Sequence, residues 1–186
     1  MRVVMYWRCV LKMIELVLGG ARSGKSLYAE QLATLSGKQV IYLATAEARD
    51  SEMQQRVDLH QQRRAQDWKT IEEPIQLANI IKEFDQQESC LLVDCLTLWL
   101  SNILFNSKGE LQQTVFEKQT RELFDVLAGF SGHIILVSNE IGLGVVAMDK
   151  MTRRFVDEAG LLHQKIAALS DRVVLVTAGL PQILKA

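Results

Sequence analysis

The residues Gly19-Gly-Ala-Arg-Ser-Gly-Lys-Ser26 have the types and spacing needed to hold a polyphosphate. They fit the pattern G-x-x-x-x-G-K-[ST] at every fixed position. Glycines there permit positive φ and close backbone approach, so that successive N–H groups point inward at phosphate oxygens. A helix beginning at Ser26 adds the positive end of its dipole. In this arrangement Lys25 reaches the β- and γ-phosphates, and the Ser26 hydroxyl is a ligand for Mg²⁺. Such a loop needs an acid at the end of another buried strand. Asp94, which closes the apolar run Cys90-Leu-Leu-Val, is the candidate second Mg²⁺ ligand. The alternative for Asp94 is to cap the helix that starts near Leu96, and the two roles are compatible.

A second constellation surrounds His60. Arg56 lies four residues before it, and Arg63 and Arg64 lie three and four after it, so a helix places all three guanidinium groups in its neighbourhood. Cations disfavour the imidazolium, which keeps His60 neutral and nucleophilic near pH 7. The same arginines suit a triphosphate, an arrangement fit for an imidazole attacking an α-phosphate. Spacing alone leaves a solvated basic helix face equally open. For His133 the sequence suggests a turn or surface position. His163 follows the core residue Leu162, which suggests a flank or interface position rather than catalysis.

The elements that must position these groups follow from the apolar pattern. Strands are expected at residues 14–18, 40–44, 90–94, 134–138 and 173–177, and helices at 26–35, 52–67, 74–84, 96–106, 111–130 and 151–169. Short apolar strands alternating with helices imply an α/β fold of the P-loop NTPase kind, a mostly parallel β-sheet with helices on both faces. One domain over residues 13–186 accounts for the pattern. Residues 1–12 read as a basic extension ahead of Met13, with an apolar run broken by Arg8 and no small-residue cleavage site after it.

Bulk properties narrow the setting. A formal net charge of -1 supplies no global field for nucleic acid or an anionic membrane. No stretch has the roughly 18 apolar residues of a membrane span. The three cysteines, Cys9, Cys90 and Cys95, lack zinc-type spacing and read as reduced thiols in a cytoplasmic protein.

Several segments then resemble one family. Residues 19–26, Ala44-Thr45, the pattern Glu52-Met53…Arg56…His60…Arg64…Trp68, Thr70-Ile-Glu-Glu-Pro74 and Asn139-Glu-Ile-Gly-Leu-Gly144 occur in that order. Together they are similar to the bifunctional adenosylcobinamide kinase/adenosylcobinamide-phosphate guanylyltransferase family of cobalamin biosynthesis, from about Met13 to the C-terminus. The resemblance implies two reactions. ATP or GTP phosphorylates the aminopropanol hydroxyl of adenosylcobinamide; GMP then passes from GTP to that phosphate through a covalent histidine, which His60 matches, giving adenosylcobinamide-GDP and pyrophosphate. It also implies nucleotide contacts at Gly19, Gly20, Ala21, Arg22, Ser23, Gly24, Lys25, Ser26, Ala44, Thr45, Ala46, Gln61, Gln62, Arg63, Arg64, Glu72 and Asp94, and a homotrimer. Some relatives carry Glu in place of Asp94, Pro in place of Ala147 and Asn in place of His163; the extension before Met13 is outside the pattern.

Two other readings keep parts of this machinery. A P-loop small-molecule kinase without guanylyl transfer uses Lys25, Ser26 and Asp94 and gives His60 no covalent duty. A nucleotide-binding regulatory module predicts slow hydrolysis and no turnover of adenosylcobinamide.

Overall fold

The structure, a computed structural model, describes residues 12–46 and 68–186. The described strands are β1 (Met13–Gly19), β2 (Gln39–Ala44), β3 (Lys69–Glu72), β4 (Ser89–Asp94), β5 (His133–Asn139), β6 (Arg172–Thr177) and β7 (Leu180–Lys185). The helices are α1 (Lys25–Leu35), α2 (Leu77–Glu83), α3 (Leu96–Leu104), α4 (Gln113–Gly129) and α5 (Lys150–Leu169). The strands form one sheet in the order β3-β2-β4-β5-β1-β6-β7. Every neighbouring pair is parallel except the hairpin β6–β7.

The apolar runs of β1, β4 and β5 are buried on both faces because each face is covered. Alternation along β1 divides the core. Ile14, Leu16 and Leu18 join Leu96, Trp99, Leu123 and Ile166 in a cluster built with α2, α3, α4 and α5. Val17 points the other way, into a smaller cluster with Ala29 and Ala33 of α1. Among the described residues, then, helices cover both faces unequally, with α1 the main cover on one side and Leu98 of α3 at its margin.

Two strands depart from the sequence expectation. β3 is a short, largely exposed edge strand beside β2. At the opposite edge, β7 is exposed along its whole length and carries Pro181, a residue that belongs on an edge because it has no N–H to donate. The helix expected from Pro74 begins at Leu77. Glu73 holds the intervening turn: its Oε1 accepts from the Ile75 N–H at 2.9 Å and the Gln76 N–H at 2.7 Å. The expectation for 52–67 lies outside the described residues, as does that for the extension apart from Lys12.

Polar groups brace the end of the sheet where the parallel strands begin. Glu15 of β1, 3% exposed, faces the Nε2 of His133 at 2.9 Å through Oε1 and accepts from Arg172 Nη1 at 3.4 Å through Oε2. Arg172 also donates to the Tyr28 hydroxyl of α1 at 3.1 Å. The surface or turn position expected for His133 is thus corrected: its ring is largely buried against a carboxylate. Nearby, Asp171 accepts from the Ile14 N–H at 2.8 Å, and Asp85 accepts from the N–H groups of Ser131 and Gly132 at 3.0 and 2.9 Å.

Candidate phosphate-binding site

Gly19 ends β1 and Lys25 starts α1, so residues 20–24 make the turn between them. The chain reverses there through positive φ at Arg22 (56°) and Gly24 (95°). This alternation of backbone hand is how N–H groups come to line an anion-binding concavity. Two glycines are required by space. A Cβ at Gly19 lies 2.6 Å from the carbonyl oxygen of Val176, and one at Gly24 lies 3.1 Å from the Cα of Gly179. The second contact shows what supports the loop from below: the Gly179 N–H of the β6–β7 turn donates to the Ser23 carbonyl at 2.8 Å.

Lys25 is 8% exposed and curls back over its own loop, donating to the Gly20 carbonyl at 3.2 Å. Phosphate oxygens can take over that ammonium by exchange for a carbonyl. Ser26 is half-buried in the first turn of α1, which carries no acidic residue, so nothing in that turn opposes an anion at the helix start. Beneath the loop, the Ser23 hydroxyl oxygen is buried and has no partner among the described residues; a buried hydroxyl of this kind wants an acceptor or donor.

Strand register aligns the other candidates on the same edge. Gly19 pairs with Asn139 on one side and Val176 on the other; Asp94 pairs with Ala44 and Val137, and Ala44 with Glu72. All lie where the parallel strands end, the edge at which open α/β sheets bind ligands. Asp94 receives the Tyr42 hydroxyl at 3.0 Å on Oδ2. It does not cap α3: the N-cap is Cys95, without a side-chain hydrogen bond. Glu72 is exposed.

Thr45 is fully buried. Its Oγ1 donates to the Cys95 carbonyl at 2.7 Å and accepts the Cys95 N–H at 2.9 Å. The hydroxyl therefore hooks the loop after β2 to the turn after β4, and what it leaves for a ligand is backbone. Asn102 of α3 extends the hook, donating to the Thr45 carbonyl at 2.9 Å and the Pro74 carbonyl at 3.2 Å. The Trp99 indole donates to the Ile75 carbonyl at 2.9 Å. Burial pushes the Cys95 thiol up to about 11 and the Cys90 thiol up to about 12, so neither is a nucleophile near pH 7.

Beyond β5, the Glu140 N–H donates to the Gly19 carbonyl at 3.0 Å, bringing the Asn139-Glu-Ile-Gly-Leu-Gly144 segment alongside the phosphate loop. Its base is polar and buried. The Asn139 N–H donates to Thr97 Oγ1 at 2.7 Å, Thr97 and Ser138 share a hydrogen bond of 3.0 Å, and Ser138 Oγ lies 2.7 Å from His163 Nε2. His163 is 7% exposed, which corrects the flank or interface position expected for it. Burial lowers its pKa, with the Glu140 carboxylate opposing.

The structure thus brings together Gly19, Gly20, Ala21, Arg22, Ser23, Gly24, Lys25, Ser26, Ala44, Thr45, Ala46, Glu72 and Asp94 on one edge. His60, Gln61, Gln62, Arg63 and Arg64 lie outside the described residues; Ala46, the last residue described before them, follows β2 at this edge. Sequence reasoning missed Tyr42, Thr97, Asn102, Ser138 and Gly179, whose contacts are all distant in the chain. Only Gly179, in the dipeptide Ala178-Gly179 after an apolar run, carried a local turn signal. Among the described residues, no helix is long and apolar enough to cross a membrane, and no group of three or more His, Cys, Asp or Glu side chains could hold a metal ion. Ser26 and Asp94 are hard oxygen donors, and two such protein ligands suit Mg²⁺, which completes its shell with phosphates and water.

The chain is similar to known proteins in sequence and in fold. The Pseudomonas aeruginosa bifunctional adenosylcobalamin biosynthesis protein CobP is 49% identical over 93% of this chain and 98% of its own length. The Escherichia coli K12 bifunctional adenosylcobalamin biosynthesis protein CobU is 34% identical over 90% of this chain and 97% of its own. At the level of fold alone, the RadB recombinase superposes with a TM-score of 0.50 at 15% identity, covering 88% of this chain and 73% of that one. A protein from Pyrococcus horikoshii OT3 superposes with a TM-score of 0.53 at 9% identity, covering 95% and 87%. Residues 15–184 match the family described as cobinamide kinase / cobinamide phosphate guanyltransferase, and the chain belongs to that family.

Proposed function

We propose that both reactions of this bifunctional cobalamin-biosynthesis enzyme use the edge built by the phosphate loop, Asp94 and Glu72. The observation that carries the reading is Lys25 folded over a loop whose backbone is shaped for phosphate, in a sheet that sets Asp94 on the same edge. In the kinase step the loop N–H groups and Lys25 hold the triphosphate of ATP or GTP. Ser26 and Asp94 hold Mg²⁺, which supplies charge neutralisation at the phosphates. The chain's own contribution is alignment: the hydroxyl of adenosylcobinamide meets the γ-phosphorus in line with the departing diphosphate.

In the second step His60 attacks the α-phosphorus of GTP. A nitrogen–phosphorus bond forms, the bond to the bridging oxygen breaks, pyrophosphate leaves and the imidazole loses its other ring proton. The phosphate of adenosylcobinamide-phosphate then attacks the same phosphorus and the nitrogen–phosphorus bond breaks, giving adenosylcobinamide-GDP. Neutral imidazole is the competent form, and Arg63 and Arg64 favour it while holding phosphate oxygens. A cytoplasmic homotrimer is part of this reading. The exposed apolar side chains of β7, Leu180, Ile183 and Leu184, support it as a surface another copy can cover.

The test is incubation with adenosylcobinamide, ATP and GTP, with products resolved by mass. Adenosylcobinamide-GDP supports both steps; the phosphate ester alone overturns the second. α-³²P-labelled GTP tests the intermediate: the label on protein is expected to be acid-labile and alkali-stable, and absent from His60→Ala. Label retained in that variant removes His60 from the role.

A further inference from the structure

We infer that His163 is a positioning residue for phosphoryl transfer, fixing the Asp94-bearing β4–α3 turn against the β5 loop beside Gly19 through the hydroxyls of Ser138 and Thr97.

The Glu140 carboxylate beside Nδ1 gives the relay a direction, because it favours the ring proton on that nitrogen and leaves Nε2 to accept. Thr97, Ser138 and His163 are 7%, 0% and 7% exposed. Each hydroxyl has one proton to donate, and Thr97 Oγ1 already accepts the Asn139 N–H. The two remaining links, Thr97 to Ser138 and Ser138 to His163, need two hydroxyl protons if His163 Nε2 is the acceptor. Thr97 then donates to Ser138 and Ser138 donates to Nε2. The proton of the neutral ring sits on Nδ1, the nitrogen that lies 3.8 Å from the Glu140 carboxylate. His163 is the terminal acceptor, and removing it leaves the Ser138 proton without a partner in a place water does not reach.

The ends of the relay give it consequence. Thr97 lies in the first turn of α3, three residues after Asp94. Asn139 is the register partner of Gly19, and the next residue, Glu140, donates to the Gly19 carbonyl at 3.0 Å. β5 separates β4 from β1 in the sheet, so the acid and the phosphate loop stand on strands that do not touch. Across that gap the relay joins side chains from α3, β5 and α5. A hydroxyl link has one set length and direction, whereas an apolar replacement fills the space without specifying either.

The inference rests on Asp94 as the acid of the site. The experiment compares His163→Leu, His163→Gln and Asp94→Asn in the kinase assay with ATP, each with its thermal midpoint. Gln places an amide near the position of Nε2, whereas Leu preserves volume alone. Leu is expected to lower kcat about tenfold while KM for ATP changes less than about twofold, the pattern of a misplaced group rather than lost binding. Gln is expected to restore most of kcat. Ile166→Val, a buried change one turn along α5, is the control: it lowers the midpoint and leaves kcat unchanged. Wild-type kcat in His163→Leu overturns the inference whatever Asp94→Asn shows, and so does a Gln variant as slow as Leu. Wild-type kcat in Asp94→Asn overturns the reading of the acid and the inference with it. If the Leu variant does not fold, Ser138→Ala removes the middle link and is expected to show the same loss; an unchanged kcat there is equally decisive against it.

Discussion

The two ends of the central sheet are built from different polar chemistry. Where the parallel strands begin, the connections centre on an ion pair: Glu15 meets Arg172 and the His133 ring, and Arg172 also donates to the Tyr28 hydroxyl. Where they end, the connections are hydroxyls and backbone: Thr45 to both sides of Cys95, the Thr97–Ser138–His163 relay, Glu140 to Gly19, and Gly179 to Ser23. The difference matches the work of each end. Charges that neutralise one another stabilise a fold but recruit nothing. An edge held by such groups leaves Lys25 and Asp94 for the phosphate and metal roles proposed for them.

Substitutions at the two ends should therefore separate activity from stability. The largest effect is expected from Lys25→Ala, with kcat/KM in the kinase assay falling about 10²–10³-fold, the scale of one lost electrostatic contact in a transition state, and the thermal midpoint little changed. Asp94→Asn is expected to lower kcat by about 10²-fold and to raise the Mg²⁺ concentration needed for half-maximal rate, read from a Mg²⁺ titration. At the opposite end, Glu15→Gln breaks a buried charge cluster. Urea denaturation should show a loss of about 3 kcal/mol, the lower part of the range for a broken buried pair, while kcat per folded molecule stays at the wild-type value. Thr45→Val lies between these cases: isosteric at a site that pairs both a donor and an acceptor of Cys95, it should cost about 1–3 kcal/mol of stability and slow the kinase step. A Glu15→Gln enzyme that folds well and turns over slowly breaks the contrast between the ends.

The smallest effect concerns pH. Burial holds the pKa of His163 below its ordinary value of 6.5. The unfolded state then binds the proton more readily, so stability is complete above pH 6.5 and is lost as pH falls from there through the folded pKa. His163→Gln should flatten this part of the acid limb in urea denaturation at pH 5 and pH 7.5.

Local chemistry was legible in the sequence and long-range pairing was not. The phosphate loop is read from adjacent residues, because its glycines, lysine and serine act through their own backbone. Asp94 was legible because its strand is continuously apolar and ends at the acid. β3 and β7 were missed for opposite reasons. Lys69–Glu72 is short and polar, as an exposed edge strand can be, and Leu180–Lys185 begins beside a proline that argues against a central strand. His163 was assigned to a flank because it follows Leu162, but the buried arc of α5 also includes Ala159, His163 and Ile166. That arc is wide enough to bury a side chain next to the apolar stripe. Its partner Ser138 is in another element, and no spacing rule links the two. The segment that made the family resemblance specific, around His60, lies outside the described residues.

The contrast between the ends is tested most directly by amide hydrogen exchange with and without Mg²⁺ and the β,γ-imido analogue of GTP. Protection is expected in residues 19–26, 45–46, 94–97 and 139–142. No change is expected at Asp85, Ser131, Gly132, His133, Asp171 or Arg172. Protection confined to the second group, or spread equally over both, contradicts the assignment of the nucleotide to the edge where the parallel strands end.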